Sequence, residues 1–179
     1  DQPPTISVDA DAADIGVTYR QPDGSDGFTD VTPASGSDLE AAIAALVANA
    51  TISLNGGGGS LTAEDNSGAV GWAFSVDADL ASFLAEGEEL VLSYTVTVDD
   101  GGNVVTAANG DEVSTSTRTL TVTLTGTNGA PLVDVDASQL TGSLAEIAED
   151  SADPLEGSAL STGGAIAFTD ADLSDTPTV

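Results

Sequence analysis

Aspartate is the residue through which this chain could do chemistry. It occurs 21 times, against nine glutamates, and it gathers in short clusters. These are Asp77-Ala-Asp79, Asp99-Asp100-Gly-Gly-Asn103, Asp134-Val-Asp136 and Asp170-Ala-Asp172 with Asp175. Oxygen-rich segments of this kind suit calcium, which takes about six to eight ligands from carboxylates, amides and carbonyls. They equally suit solvated turns, because an aspartate side chain bonds its own backbone two residues on. None has the EF-hand spacing. Paired carboxylates such as Asp77 and Asp79 could also act as acid and base in glycoside cleavage. Their neighbours are aspartate, alanine and serine, which form neither an apolar pocket to raise one pKa nor an aromatic platform for a sugar. No catalytic residue and no enzymatic activity is expected.

The missing residue types narrow the chemistry further. Cysteine and histidine are absent, so zinc sites, Ser–His–Asp and Cys–His systems and disulfides cannot be built. The bases are Arg20 and Arg118 alone, against 30 acids, for a formal net charge of −28. That excludes a nucleic-acid backbone as partner and electrostatic docking on anionic lipid. No apolar run approaches the roughly 20 residues of a membrane span, so no membrane insertion is expected, and the start does not read as a signal peptide. Apolar residues still make up 40% and the mean hydropathy is +0.10, so the chain is expected to fold despite its self-repulsion. Halophilic adaptation is a second source of such a charge.

The elements that must position these aspartates read mostly as strands. Leu90, Leu92, Tyr94, Val96 and Val98 alternate with Val91, Ser93, Thr95 and Thr97, and Leu120, Val122 and Leu124 alternate with threonines. Trp72, Phe74 and Val76 repeat the pattern. Alternation with period two marks half-buried antiparallel strands, here over 70–77, 89–98 and 113–125. Shorter strands are expected near 4–9, 15–20, 51–54, 60–63, 103–107, 143–148 and 164–169. One helix is expected over Asp38–Asn49. Ser37 caps it, Glu40 closes a capping box, and Leu39, Ile43, Leu46 and Val47 form its apolar stripe. About seven strands with one short helix predict an all-β fold, an immunoglobulin/cadherin-like antiparallel β-sandwich.

An internal repeat divides the chain. Pro4-Thr-Ile-Ser-Val-Asp-Ala10 matches Pro131-Leu-Val-Asp-Val-Asp-Ala137, and Phe-Thr-Asp recurs at Phe28–Asp30 and Phe168–Asp170. Residues 1–130 therefore read as one module and 131–179 as the N-terminal part of a following, incomplete module, as in a piece of a longer array. So short a second unit is expected to be ordered only when something completes it, preferably β-structure elsewhere in this chain or in a neighbouring molecule.

The segments Trp72-Ala-Phe-Ser-Val, Leu84-Ala-Glu-Gly-Glu-Glu-Leu90, Tyr94-Thr-Val-Thr-Val-Asp-Asp-Gly-Gly and Leu120-Thr-Val-Thr-Leu-Thr-Gly-Thr-Asn-Gly-Ala-Pro131 form a set. With Phe168-Thr-Asp-Ala-Asp-Leu-Ser-Asp175, that set resembles the VCBS and cadherin-like repeats of giant RTX adhesins, which Gram-negative bacteria export by type I secretion. Residues 10–68 depart from the pattern. The resemblance implies a calcium-stabilised module of a large secreted adhesin at the bacterial cell surface. It would act as extender or scaffold for ligand-binding regions in cell adhesion and biofilm formation. The implied partners are neighbouring modules of the same adhesin and a host or bacterial surface protein or glycan. The alternative is that the irregular first module binds a protein or glycan itself, or is a split scaffold hosting an inserted binding domain.

In a sandwich of that class the two termini lie at opposite ends. The loop after Val76 then meets the linker at 125–131, and the tail loop at 170–175 faces the same linker. Asp77, Asp79, Asn128, Asp170, Asp172 and Asp175 would converge there as calcium ligands, with Asp134 and Asp136 close by. Asp99, Asp100 and Asn103 would form a second site at the other end, near Asp9, Asp11 and Asp14, or a plain hairpin turn.

Overall fold

The computed structural model describes residues 4–55, 68–99, 105–106, 112–145 and 159–175. The fold is an antiparallel β-sandwich with one short helix. Strand β6 (Glu89–Asp99) is its spine. Along one edge it pairs with β9 (Thr115–Thr125) over its full length, Glu89 opposite Thr125 and Asp99 opposite Thr115. Its other edge is shared end to end by β1 (Thr5–Val8) and β2 (Gly16–Pro22). β3 (Phe28–Val31) then extends the sheet beyond β2. The facing layer is the β4–β5 ribbon (Thr51–Asn55 with Gly71–Ser75) and helix α1 (Asp38–Asn49). Short β7 (Val105–Thr106) and β8 (Glu112–Val113) pair near the far end of the β6–β9 hairpin.

The alternation along β6 decides what is buried. Leu90, Leu92 and Tyr94 point into the core at 1% exposure or less. Helix α1 answers with Ile43, Leu46 and Val47, and Leu39 packs at the edge of the same cluster. Ser37 caps the helix by accepting from the Glu40 amide at 3.1 Å, and Glu40 returns the bond to the Gly36 amide at 2.6 Å. These reciprocal bonds satisfy donors that the first helical turn leaves open. Phe74 of β5 meets Tyr94 with ring centroids 6.4 Å apart, which closes the sandwich over the core.

Two strands of the structure lie where no strand is read from the pattern: β3, and β10 (Leu132–Asp134). Conversely, 143–145 form no strand, and the one expected at 60–63 lies outside the described residues.

The tail is a thin addition to this body. β10 pairs with β11 (Ala167–Thr169) in a ribbon of its own. The Gln139 amide ties the connection to the Ala165 carbonyl at 2.7 Å. Among the described residues neither strand pairs with the first sheet. Leu132, Val133, Val135, Ile166 and Phe168 are all more than two-fifths exposed. The tail meets the body through the loop after β11 instead.

Candidate metal centre

That loop, 170–175, lies in a cleft of about 310 Å³ at the end of the sandwich where β9 leaves the sheet. Three segments line it: a 3₁₀ turn (Ala78–Ala81) with Ser82 and Leu84, the linker 125–129, and Ala171 with Asp172. The linker can pass this close because position 126 is glycine. A Cβ there would collide with the Leu84 and Ala85 carbonyl oxygens. The Gly126 amide donates to the Glu88 carbonyl at 2.8 Å, which fixes the linker against the turn before β6.

Asp172 is the centre of the arrangement. It is 2% exposed, and its Oδ2 accepts from the Gly129 amide at 2.7 Å. Its Oδ1 is buried and has no hydrogen-bond partner among the described residues. A buried acceptor in that state costs about 1–3 kcal/mol, which a donor or a cation beside it would offset. Asn128 lines the same cleft, with its side-chain nitrogen turned to the Gly129 carbonyl at 2.9 Å.

The remaining expected ligands are placed as follows. Asp77 caps the 3₁₀ turn, accepting from the Asp79 amide at 3.2 Å, and both side chains are exposed beside the cleft. Asp170 is half-buried and accepts from the Asp172 amide at 3.1 Å. The Asp175 amide bonds the Asp172 carbonyl at 3.1 Å, and the Asp175 side chain is exposed. Asp134 closes a turn after β10, accepting from the Asp136 and Ala137 amides at 3.0 Å each. Neither Asp134 nor Asp136 lines the cleft.

Of the far-end group, the described residues Asp9 and Asp99 lie apart. Asp99 ends β6 in register with Thr5. Asp9 sits where its amide bonds the Thr95 carbonyl at 2.9 Å, four residues back along β6. Four residues of strand span about 13 Å. The reason is that β1 and β2 share one edge of β6, so the loop joining them, with Asp11 and Asp14, bulges at mid-strand. Asp100 and Asn103 lie outside the described residues. Among the described residues, no three carboxylates are grouped closely enough to hold a metal by themselves. An ion in the cleft would therefore draw on amide, hydroxyl and carbonyl oxygens as well as Asp172.

Sequence reasoning did not single out Glu88, the other buried acid of the described residues, at 4% exposure. Its carboxylate accepts from the Ala85 amide at 3.0 Å and from Gln21 Nε2 at 2.9 Å. The Tyr19 and Ser174 hydroxyls act on the same carboxyl and help to hold its pKa down. Burial pushes the Glu88 carboxyl up, but the hydrogen bonds led by Ser174 outweigh it, and the group lies below the usual glutamate value of 4.5. Burial and the neighbouring Glu88 push the Tyr19 phenol up to about 12. Next along the strands, Arg20 forms an ion pair with Glu89 and stacks over Phe28, 5.0 Å from the ring centroid.

A second, open groove of about 420 Å³ lies between the β2–β3 edge and α1. Val17, Val31 and Ile43 give it apolar walls, and Asp30 and Glu40 add carboxylates. No protein-family model matches the chain, and no curated protein or solved structure matches it.

Proposed function

We propose that the chain is a calcium-stiffened module, extender or scaffold, of a large secreted bacterial adhesin, with the VCBS/cadherin-like character its motifs resemble. It has no enzymatic role in this reading. It works outside the cell, joined to neighbouring modules, and helps to project regions that bind a surface protein or glycan. The observation that carries this is the buried, unpartnered Asp172 Oδ1 in a cleft shared by the body and the tail. A donor set of one buried carboxylate, an amide and carbonyls is hard and oxygen-only, which fits calcium better than a transition metal.

Asp172 and Asn128 would hold the ion, with Asp170, Asp175, Asp77 and Asp79 as carboxylates in or beside the joint. Bound there, calcium would supply two positive charges to a joint in a chain with 30 acids and 2 bases. The residues themselves do the rest. Gly126 brings the linker against the turn, Gly129 anchors one oxygen of Asp172, and the tail loop follows.

Limited proteolysis tests the reading. Calcium at about 5 mM, above the usual range for extracellular modules, should slow cleavage within 131–175, whereas sodium chloride of equal ionic strength should not. Equal protection by both salts would reduce the effect to charge screening. The groove at Val17, Asp30 and Glu40 favours the alternative, in which the first module binds a ligand itself. That reading predicts saturable chemical-shift changes in α1 and β3 with a surface glycan or peptide, whether or not calcium is present.

A further inference from the structure

β3 is the last strand of its sheet, and among the described residues no strand pairs with its outer edge. The register shows which groups that edge presents. In an antiparallel pair, residues that exchange both backbone bonds alternate with residues that exchange none. The Asp23 amide donates to the Gly27 carbonyl at 3.0 Å, closing the β2–β3 hairpin. Bonded pairs then recur at Gln21–Thr29 and Tyr19–Val31, and the pairs between them, Pro22–Phe28 and Arg20–Asp30, are unbonded. Proline has no amide hydrogen and so fits the first of these. The N–H and C=O groups of Phe28 and Asp30 therefore point away from β2. An open row of donors and acceptors of this kind is a template for another strand.

Beside that edge lies the groove of about 420 Å³ between β2–β3 and α1. Val17, Val31 and Ile43 give it apolar walls, Asp30 and Glu40 carry its charge, and no base lines it. Arg20, opposite Asp30 in register, is engaged with Glu89 instead. One oxygen of Glu40 accepts from the Gly36 amide at 2.6 Å, and the other has no partner among the described residues. A second copy of the chain is a poor occupant. It would bring its own Asp30 to the same edge, and a formal charge of −28 to a surface of like sign.

We propose that β3 and this groove bind an extended peptide segment bearing lysine or arginine, which adds a strand to the sheet. Its backbone bonds Phe28 and Asp30, its apolar side chains lie along Val17, Val31 and Ile43, and a basic side chain reaches Asp30 and Glu40. In strand addition the main-chain bonds supply affinity, and pockets for alternate side chains supply the choice of partner. The acid on the edge turns away acidic strands and admits basic ones. This inference deepens the alternative reading, in which the first module binds a ligand, and it needs no calcium.

The probe is a short acetylated and amidated peptide of alternating valine and lysine. It is titrated into the full chain at about 0.15 M salt, where distant charges are screened, and followed in amide NMR spectra. Saturable shifts are expected at 17–19, 28–33 and 40–43. Methylating the peptide's backbone nitrogens along one edge removes its donors and should weaken binding about tenfold. Asp30→Asn, at an exposed position, should weaken it about two- to fivefold, as for an exposed ion pair. No saturable shift at these residues up to about 1 mM peptide, or shifts spread over every acidic surface, overturns the inference. Equal binding of a valine–glutamate peptide overturns the basic partner. Tumbling of the chain alone that slows as its concentration rises, with line broadening at 28–31, gives the edge to a second copy and overturns it too. Shifts at α1 and β3 that the methylated peptide produces equally well would uphold a ligand-binding first module and overturn strand addition alone.

Discussion

Replacing Asp172 by asparagine separates its two oxygens. Oδ2 has a partner, the Gly129 amide, and an asparagine oxygen can still accept that bond, though more weakly as a neutral acceptor. Oδ1 has none, and its burial costs about 1–3 kcal/mol. In chelator, Asp172→Asn should therefore not destabilise the chain, and should stabilise it by up to about 1 kcal/mol as an uncompensated buried charge disappears. For a chain of this size that is a rise of about 2–4 °C in Tm. With calcium the order reverses. At ten times its dissociation constant, one site adds about 1.4 kcal/mol by mass action, or about 3–6 °C to the parent Tm, and the variant should gain nothing. The assay is a melt of both proteins in chelator and in about 5 mM calcium at matched ionic strength. A variant that keeps the full calcium response, or that melts far below the parent in chelator, would refute this account of Asp172.

Other outcomes follow from the core and the joint. Leu46→Ala, at a position with 0% exposure, should cost about 2–5 kcal/mol in denaturant unfolding, whereas Leu39→Ala at the cluster edge should cost clearly less. Gly126→Ala should destabilise the chain and speed amide exchange at Gly129 and Leu173, because its Cβ would push the linker off the Leu84 and Ala85 carbonyls. The Glu88 pKa is lower folded than unfolded, so its contribution is complete above about pH 4.5 and lost as pH falls; Glu88→Gln should flatten acid unfolding between about pH 5 and 3. The raised Tyr19 pKa has the opposite sign. Its contribution is complete below pH 10 and lost as pH rises towards about 12, and Tyr19→Phe should remove that alkaline loss.

Much of the sandwich was legible because it rests on local signals. Ser37, Glu40 and the Ile43–Leu46–Val47 stripe define α1 within twelve residues. Leu90, Leu92 and Tyr94 alternate long enough to mark β6 as half-buried. β3 escaped notice because Phe28–Val31 is short and lies between Gly27 and Pro33, so no period develops. β10 is exposed on every residue, and a strand without a buried face has no pattern to read. At the joint, the approach of 77–82, 125–129 and 170–172 follows from chain ends and strand order, which a topology supplies. The burial of Glu88 does not. Its partner Gln21 is far away in sequence, and only the folded sheet brings the two together. The spread of Asp9 and Asp99 along β6 was illegible for a related reason: nothing in their spacing tells that β1 and β2 divide one edge.

The most direct measurement is a calcium titration of the full chain followed residue by residue in amide NMR spectra, at constant ionic strength. The expected result is saturable binding with a dissociation constant of about 10⁻⁴ to 10⁻³ M, with shifts concentrated at 125–129 and 170–175 and lost in Asp172→Asn. Shifts spread evenly over exposed aspartates, or none up to about 10 mM, would contradict a calcium joint between the β-sandwich and its tail.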